Sequence, residues 1–88
     1  MNGAKIDVLL VDDHPVVRDG INAMLSAVPH INVCGSATGG LEAVTMAEQL
    51  RPDVVIMDIG LPDVNGLEAT RQLSVSQPDV RVVILMVY

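Results

Sequence analysis

Three aspartates, Asp12, Asp13 and Asp58, each stand directly after a run of apolar residues: Val8-Leu9-Leu10-Val11 runs into Asp12-Asp13, and Val54-Val55-Ile56-Met57 runs into Asp58. If the two runs are neighbouring strands, the carboxylates arrive together at one end of a sheet. Like charges gathered so closely repel unless a cation intervenes. An all-oxygen ligand set favours Mg²⁺ or Mn²⁺ over zinc, and Mg²⁺ takes one or two carboxylates, a carbonyl and waters, leaving room for a phosphate oxygen. A carboxylate beside such a cation can act as a nucleophile toward phosphorus and become an acyl phosphate. Singly, Asp12 and Asp13 read as helix caps and Asp58 as a strand end. It is their joint occurrence, with Pro62 and Gly66 shortly after, that points to a site.

The elements that must position these acids follow from hydrophobic pattern. The run from Lys5 to Val11 is dense in Val, Leu and Ile, as a strand buried on both faces is. Pro15 suits a first helical turn, with Asp13 as the cap before it. Val17, Ile21, Met24, Leu25 and Val28 then form one apolar stripe. After the break at Pro29-His30, the stretch from Ile31 to Ala37 reads as a second, weaker strand. Thr38, Gly39 and Gly40 open a helix carrying Ala43, Val44, Ala47 and Leu50, which Pro52 ends. The stretch from Asp53 to Asp58 is the third strand. A loop from Ile59 to Asn65 leads through Gly66 into a third helix, where Asn65 and Glu68 have the spacing of a capping box. After Gln77-Pro78-Asp79, the stretch from Val80 to Tyr88 is the fourth strand. Strands alternating with helices predict an α/β fold with a parallel sheet, right-handed crossovers and helices on both faces. Ligands of such doubly wound sheets bind beyond the carboxyl ends of the strands, where the winding reverses. With the second and third strands on opposite sides of the first, both acid-ended strands open into that crevice.

Composition narrows the partners. Eighty-eight residues suffice for one small domain. The net charge is −6, with only five Lys and Arg in no cluster, which argues against direct contact with nucleic acid. One aromatic residue, Tyr88, makes no stacking platform for bases. The apolar runs are too short to span a bilayer, and the start, with one basic residue and a run ending in Asp12-Asp13, lacks the shape of a signal peptide. The cytoplasm is the expected compartment, with no membrane partner. Cys34, the single cysteine, excludes an internal disulfide and reads as a small buried hydrophobe. His14 reads as structural, since a site of oxygens and Mg²⁺ has no need of imidazole, and His30 lies in a surface turn. Gly39-Gly40 has no Lys-Ser or Lys-Thr after it, so it makes no phosphate loop.

Val11-Asp12-Asp13-His14, Met57-Asp58 and Leu61-Pro62-Asp63-Val64-Asn65-Gly66 together resemble the signature of the receiver domain of bacterial two-component response regulators. The wording from Asp12 to Arg18 and from Gly66 to Thr70 is most similar to the branch that carries a LuxR-type helix-turn-helix after its receiver (the LuxR/NarL/FixJ type). The resemblance covers all 88 residues. It implies a flavodoxin- or CheY-like sheet of order 2-1-3-4, a receiver cut short without its last strand and last two helices, and no DNA-binding domain in this segment. It implies Asp58 as phospho-acceptor, Asp12 and Asp13 as the acidic pair holding Mg²⁺ with Asp58, and the Gly60 carbonyl as a further ligand. The phosphoryl donor would be the phosphohistidine of a sensor histidine kinase, and the chain a signalling part of a transcriptional regulator, not an enzyme.

Two departures bear on function. The family usually has Ser or Thr at the end of the fourth strand, to meet the phosphoryl group, and Met86 stands there. The family's Lys at the end of the fifth strand would fall after Tyr88. Both favour an alternative reading, a receiver-like interaction or dimerisation module that has lost switching. A phosphatase of the haloacid-dehalogenase type would want an Asp where Gly60 stands. As an edge strand, the stretch from Val80 to Tyr88 would be apolar with unpaired backbone groups, so a homodimer or larger assembly through it is expected.

Overall fold

The computed structural model describes residues 5–63 and 65–85. Their order is β1 (Ile6–Val11), α1 (Pro15–Ser26), β2 (Ile31–Ala37), α2 (Gly40–Leu50), β3 (Val54–Asp58), α3 (Gly66–Ser76) and β4 (Arg81–Leu85). All strand pairs are parallel and the order is β2-β1-β3-β4, as expected of the CheY-like fold. Met86, at the expected switch position, lies outside the described residues, as does the end of the expected fourth strand beyond Leu85.

Strand alternation divides the sheet into two faces. Leu9, Val11, Val55 and Met57 are buried on one face, against Ala43 and Ala47 of α2 and Ala69 and Leu73 of α3. Alanines at the helix contacts let α2 and α3 sit close to the sheet, and Val82 and Ile84 of β4 extend this core. The opposite face carries Val8 and Leu10, both buried, with α1 packed against β1 and β2. Here the expected apolar stripe is only partly realised. α1 has no fully buried residue, and Met24 and Val28 are exposed. One helix among the described residues packs on that face, mainly against β2 and then β1.

Local bounds differ from expectation for identifiable reasons. Asp53 stands before β3 because both its N–H and its carboxylate are used against Asp7: its N–H donates to the Asp7 carbonyl at 2.8 Å, and its Oδ2 accepts the Asp7 N–H at 2.8 Å. The register of β1 on β2 shifts between Val8 and Leu9, passing over Cys34. At that irregularity Cys34 is half-buried rather than buried, and its thiol donates to the Val8 carbonyl at 3.4 Å. The α1 cap is His14 with no side-chain acceptor, not Asp13. Of the expected capping box on α3, one half forms. Asn65 Oδ1 accepts the Glu68 N–H at 2.9 Å, whereas the Glu68 carboxylate turns to Arg71, at 2.6 and 3.1 Å, and to Gln72, at 3.2 Å.

Candidate functional site

Register alone brings the acids together. Val11 of β1 is paired with Met57 of β3, so the next residue of each strand, Asp12 and Asp58, leaves the sheet at the same level. Ala37 of β2 accepts the Asp12 N–H at 3.1 Å, and Leu85 of β4 accepts the Ile59 N–H at 3.2 Å, so both strand ends are held by their outer neighbours. Asp12 and Asp58 are 1% and 5% exposed, which is rare for carboxylates without partners. Asp13 is partly open to solvent. The structure thus brings together Asp12, Asp13 and Asp58 as the sequence suggests, and adds His14: one donor atom from each lies within 4.8 Å of the others.

His14 is the member that sequence reasoning set aside. The start of α1 aims its ring into the carboxylates. Nδ1 lies 2.9 Å from Asp12 Oδ1, 3.2 Å from Asp13 Oδ1 and 3.6 Å from Asp58 Oδ2. Asp12 Oδ1 also accepts the His14 N–H at 2.8 Å, and the Asp12 carbonyl accepts from Arg18 Nη1 at 3.1 Å. The imidazole is held protonated above its ordinary range by the hydrogen bond to Asp12 and then by the charge of Asp13, with smaller help from the charges of Asp12 and Asp58, against some desolvation. Two buried oxygens of the cluster, Asp12 Oδ2 and Asp13 Oδ1, have no hydrogen-bond partner. Buried carboxylate oxygens are costly in that state, and a divalent cation satisfies them. The donor set therefore fits a cation.

Asp58 is held from below by its own loop. Its Oδ1 accepts the Gly60 N–H at 3.1 Å, which leaves Oδ2 facing the cluster. The loop from Ile59 onward is pinned in three places: Leu61 is buried in the core, the Gly66 N–H donates to the Ile59 carbonyl at 3.1 Å, and Asp63 reaches across to α2. There Asp63 Oδ1 accepts the Gly40 N–H at 2.8 Å and Oδ2 the Leu41 N–H at 3.2 Å. Asp63 thus caps a helix that starts 23 residues earlier, a role no local pattern could indicate. Gly66 marks the tightest approach. A Cβ there would collide with the Asp58 carbonyl oxygen and lie 2.9 Å from the Ile59 Cα, both backbone atoms that cannot turn aside. Gly66→Ala is accordingly expected to cost about 1–3 kcal/mol or more, as overpacking does, in a urea denaturation series.

Comparison with known proteins agrees with this architecture. Residues 8–88 match the response regulator receiver domain family. The chain is 49% identical over 82 residues to the response regulator GacA of Pseudomonas aeruginosa, covering 93% of this chain and 38% of that protein. It is 40% identical over 88 residues to the transcriptional regulatory protein DegU of Brevibacillus brevis, covering 100% of this chain and 37% of that one. The chain thus spans less than two-fifths of the length of these curated relatives. Among solved structures, a two-component response regulator of the LuxR family from Aurantimonas sp. SI85-9A1 superposes with a TM-score of 0.91 at 33% identity, over 97% of this chain and 61% of that one. Sequence match, strand order and the paired strand-terminal acids agree: the chain belongs to the response regulator receiver domain family.

Proposed function

We infer that this chain is the phospho-acceptor of a two-component relay, and that Asp58 takes the phosphoryl group from the phosphohistidine of a sensor histidine kinase. The observation that carries this is the burial of Asp58 beside Asp12, whose Oδ2 is enclosed without a hydrogen-bond partner. In the transfer, an Asp58 carboxylate oxygen forms a bond to phosphorus as the P–N bond to the donor imidazole breaks. The imidazole keeps the electron pair, and the product is an aspartyl phosphate. Asp12, Asp13, Asp58 and the Gly60 carbonyl would hold Mg²⁺, which would neutralise charge on the phosphoryl oxygens. The chain's own contribution is placement: the Gly60 N–H fixes one Asp58 oxygen, and the core under β3 fixes the backbone. The name of one relative, a transcriptional regulatory protein, supports a place in a transcriptional regulator, and the compartment proposed for the relay is the cytoplasm. No helix among the described residues is long and apolar enough to cross a membrane. The test is incubation with acetyl phosphate and Mg²⁺ followed by intact mass. The expected result is a gain of one phosphoryl group that hydroxylamine removes; a hydroxylamine-stable adduct would refute an acyl phosphate.

Cation binding has its own measurable consequence. A ligand that binds only the folded state stabilises it by RT ln(1 + [L]/Kd), about 1.4 kcal/mol at ten times Kd. Millimolar Mg²⁺ is expected to raise the melting temperature of the parent and to leave that of Asp13→Asn nearly unmoved. An equal rise in both would remove Asp13 from the ligand set.

A further inference from the structure

The cluster holds a donor that an all-oxygen Mg²⁺ site does not require. His14 Nδ1 stands 2.9, 3.2 and 3.6 Å from one oxygen each of Asp12, Asp13 and Asp58. Adjacent ligands of an octahedral ion with bonds of about 2.1 Å are separated by ~3 Å, so these spacings suit neighbouring positions around one ion. The oxygens that lack hydrogen-bond partners include Asp12 Oδ2, on a side chain only 1% exposed, so the site has an unfilled buried donor independent of the imidazole. The His14 main-chain N–H is tied to Asp12 Oδ1 at 2.8 Å, which holds the residue beside the acids.

We propose that His14 is a metal ligand through Nδ1, and that the cluster binds a transition-metal ion such as Ni²⁺, Co²⁺ or Zn²⁺ in preference to Mg²⁺. This rests on reading the acids as a cation site. The chemistry is that of donor type: carboxylates alone suit Mg²⁺, whereas imidazole suits later first-row metals, whose affinities for a given N/O site rise toward copper. A metal ion displaces the ring proton and takes Nδ1 together with one oxygen each from Asp12, Asp13 and Asp58, ligand atoms that lie within 4.8 Å of one another.

The chain contains two histidines, His14 and His30, so the assignment can be tested without ambiguity in a protein carrying no histidine tag. Ni²⁺ and Mg²⁺ are titrated calorimetrically into the parent, His14→Ala, His14→Gln, His30→Ala and Asp13→Asn. The parent is expected to bind Ni²⁺ more tightly than Mg²⁺. Both His14 variants should lose at least about tenfold in Ni²⁺ affinity while Mg²⁺ affinity holds or rises, because the ring they remove competes for the same carboxylate oxygens, and His30→Ala should change neither. Two His14 variants of different size guard against a fold effect, which would weaken Mg²⁺ binding as well and would overturn the proposal. Equal Ni²⁺ affinity in parent and His14 variants, or a parent that prefers Mg²⁺, also overturns it while leaving the cation site intact. If neither metal binds, the cation reading itself falls; if Asp13→Asn binds both as the parent does, Asp13 leaves the ligand set.

Discussion

Asp58→Asn is expected to abolish phosphoryl uptake altogether: after acetyl phosphate and Mg²⁺ its intact mass should remain that of the unmodified chain, while the parent gains one phosphoryl group. The amide oxygen is a poor nucleophile and carries no charge to balance a cation, yet the side chain keeps the shape of Asp58 and an oxygen for the Gly60 N–H now at 3.1 Å. Loss of chemistry is therefore separable from loss of structure, which circular dichroism would register. Asp12→Asn and Asp13→Asn keep the nucleophile and lose part of the charge around it. One preorganised electrostatic contact of this kind is typically worth about 10²–10³ in rate, so both should be slow and not dead. An Asp58→Asn chain that still gained mass would place the acceptor elsewhere, and Asp53, Asp63 or Asp79 would be the next carboxylates to map.

The acids were legible because register is a backbone property. Two apolar runs that each end in Asp need only pair as parallel neighbours, and Val11 against Met57 then places Asp12 beside Asp58. Continuous apolar runs and period-3.6 stripes likewise carry the four strands and the three helices, whereas their order, β2-β1-β3-β4, was implied by the family resemblance and not by the pattern. What escaped the sequence depends on side-chain direction and on contacts distant along the chain. His14 looks structural until the entry angle of α1 turns its ring into the carboxylates. Asp63 looks like one more loop acid until the β3-to-α3 loop is laid against the start of α2. Glu68 has the spacing of a capping box, but Arg71 one turn later offers a charged partner and takes it. The stripe on α1 shows the reverse error. A helix can carry the pattern of a buried element, and the sheet under it decides how much of that pattern is covered.

That uncovered face leads to the second large effect. Among the described residues β4 pairs with β3 alone, so its other edge has unpaired backbone groups. On the α1 side of the sheet Val83 is 49% exposed, so an apolar side chain stands open on that edge strand. Two such edges related by a two-fold axis would make one sheet across a dimer, antiparallel at the junction. Val83 is the middle residue of Arg81–Leu85, so an axis through mid-strand sets it against its own copy. Val83→Lys would then oppose two ammonium groups directly, a destabilising cross-strand pair, while leaving the opposite face untouched. Ile84→Lys would instead set a charge against the core, on which Ile84 packs, and so would mix a loss of stability with any loss of association. At micromolar concentration light scattering is expected to give about twice 9.3 kDa for the parent and 9.3 kDa for Val83→Lys, with nearly equal melting temperatures when both are dilute. A parent that scatters as a folded monomer would sink the dimer, and a Val83→Lys chain that still associates would move the junction away from β4.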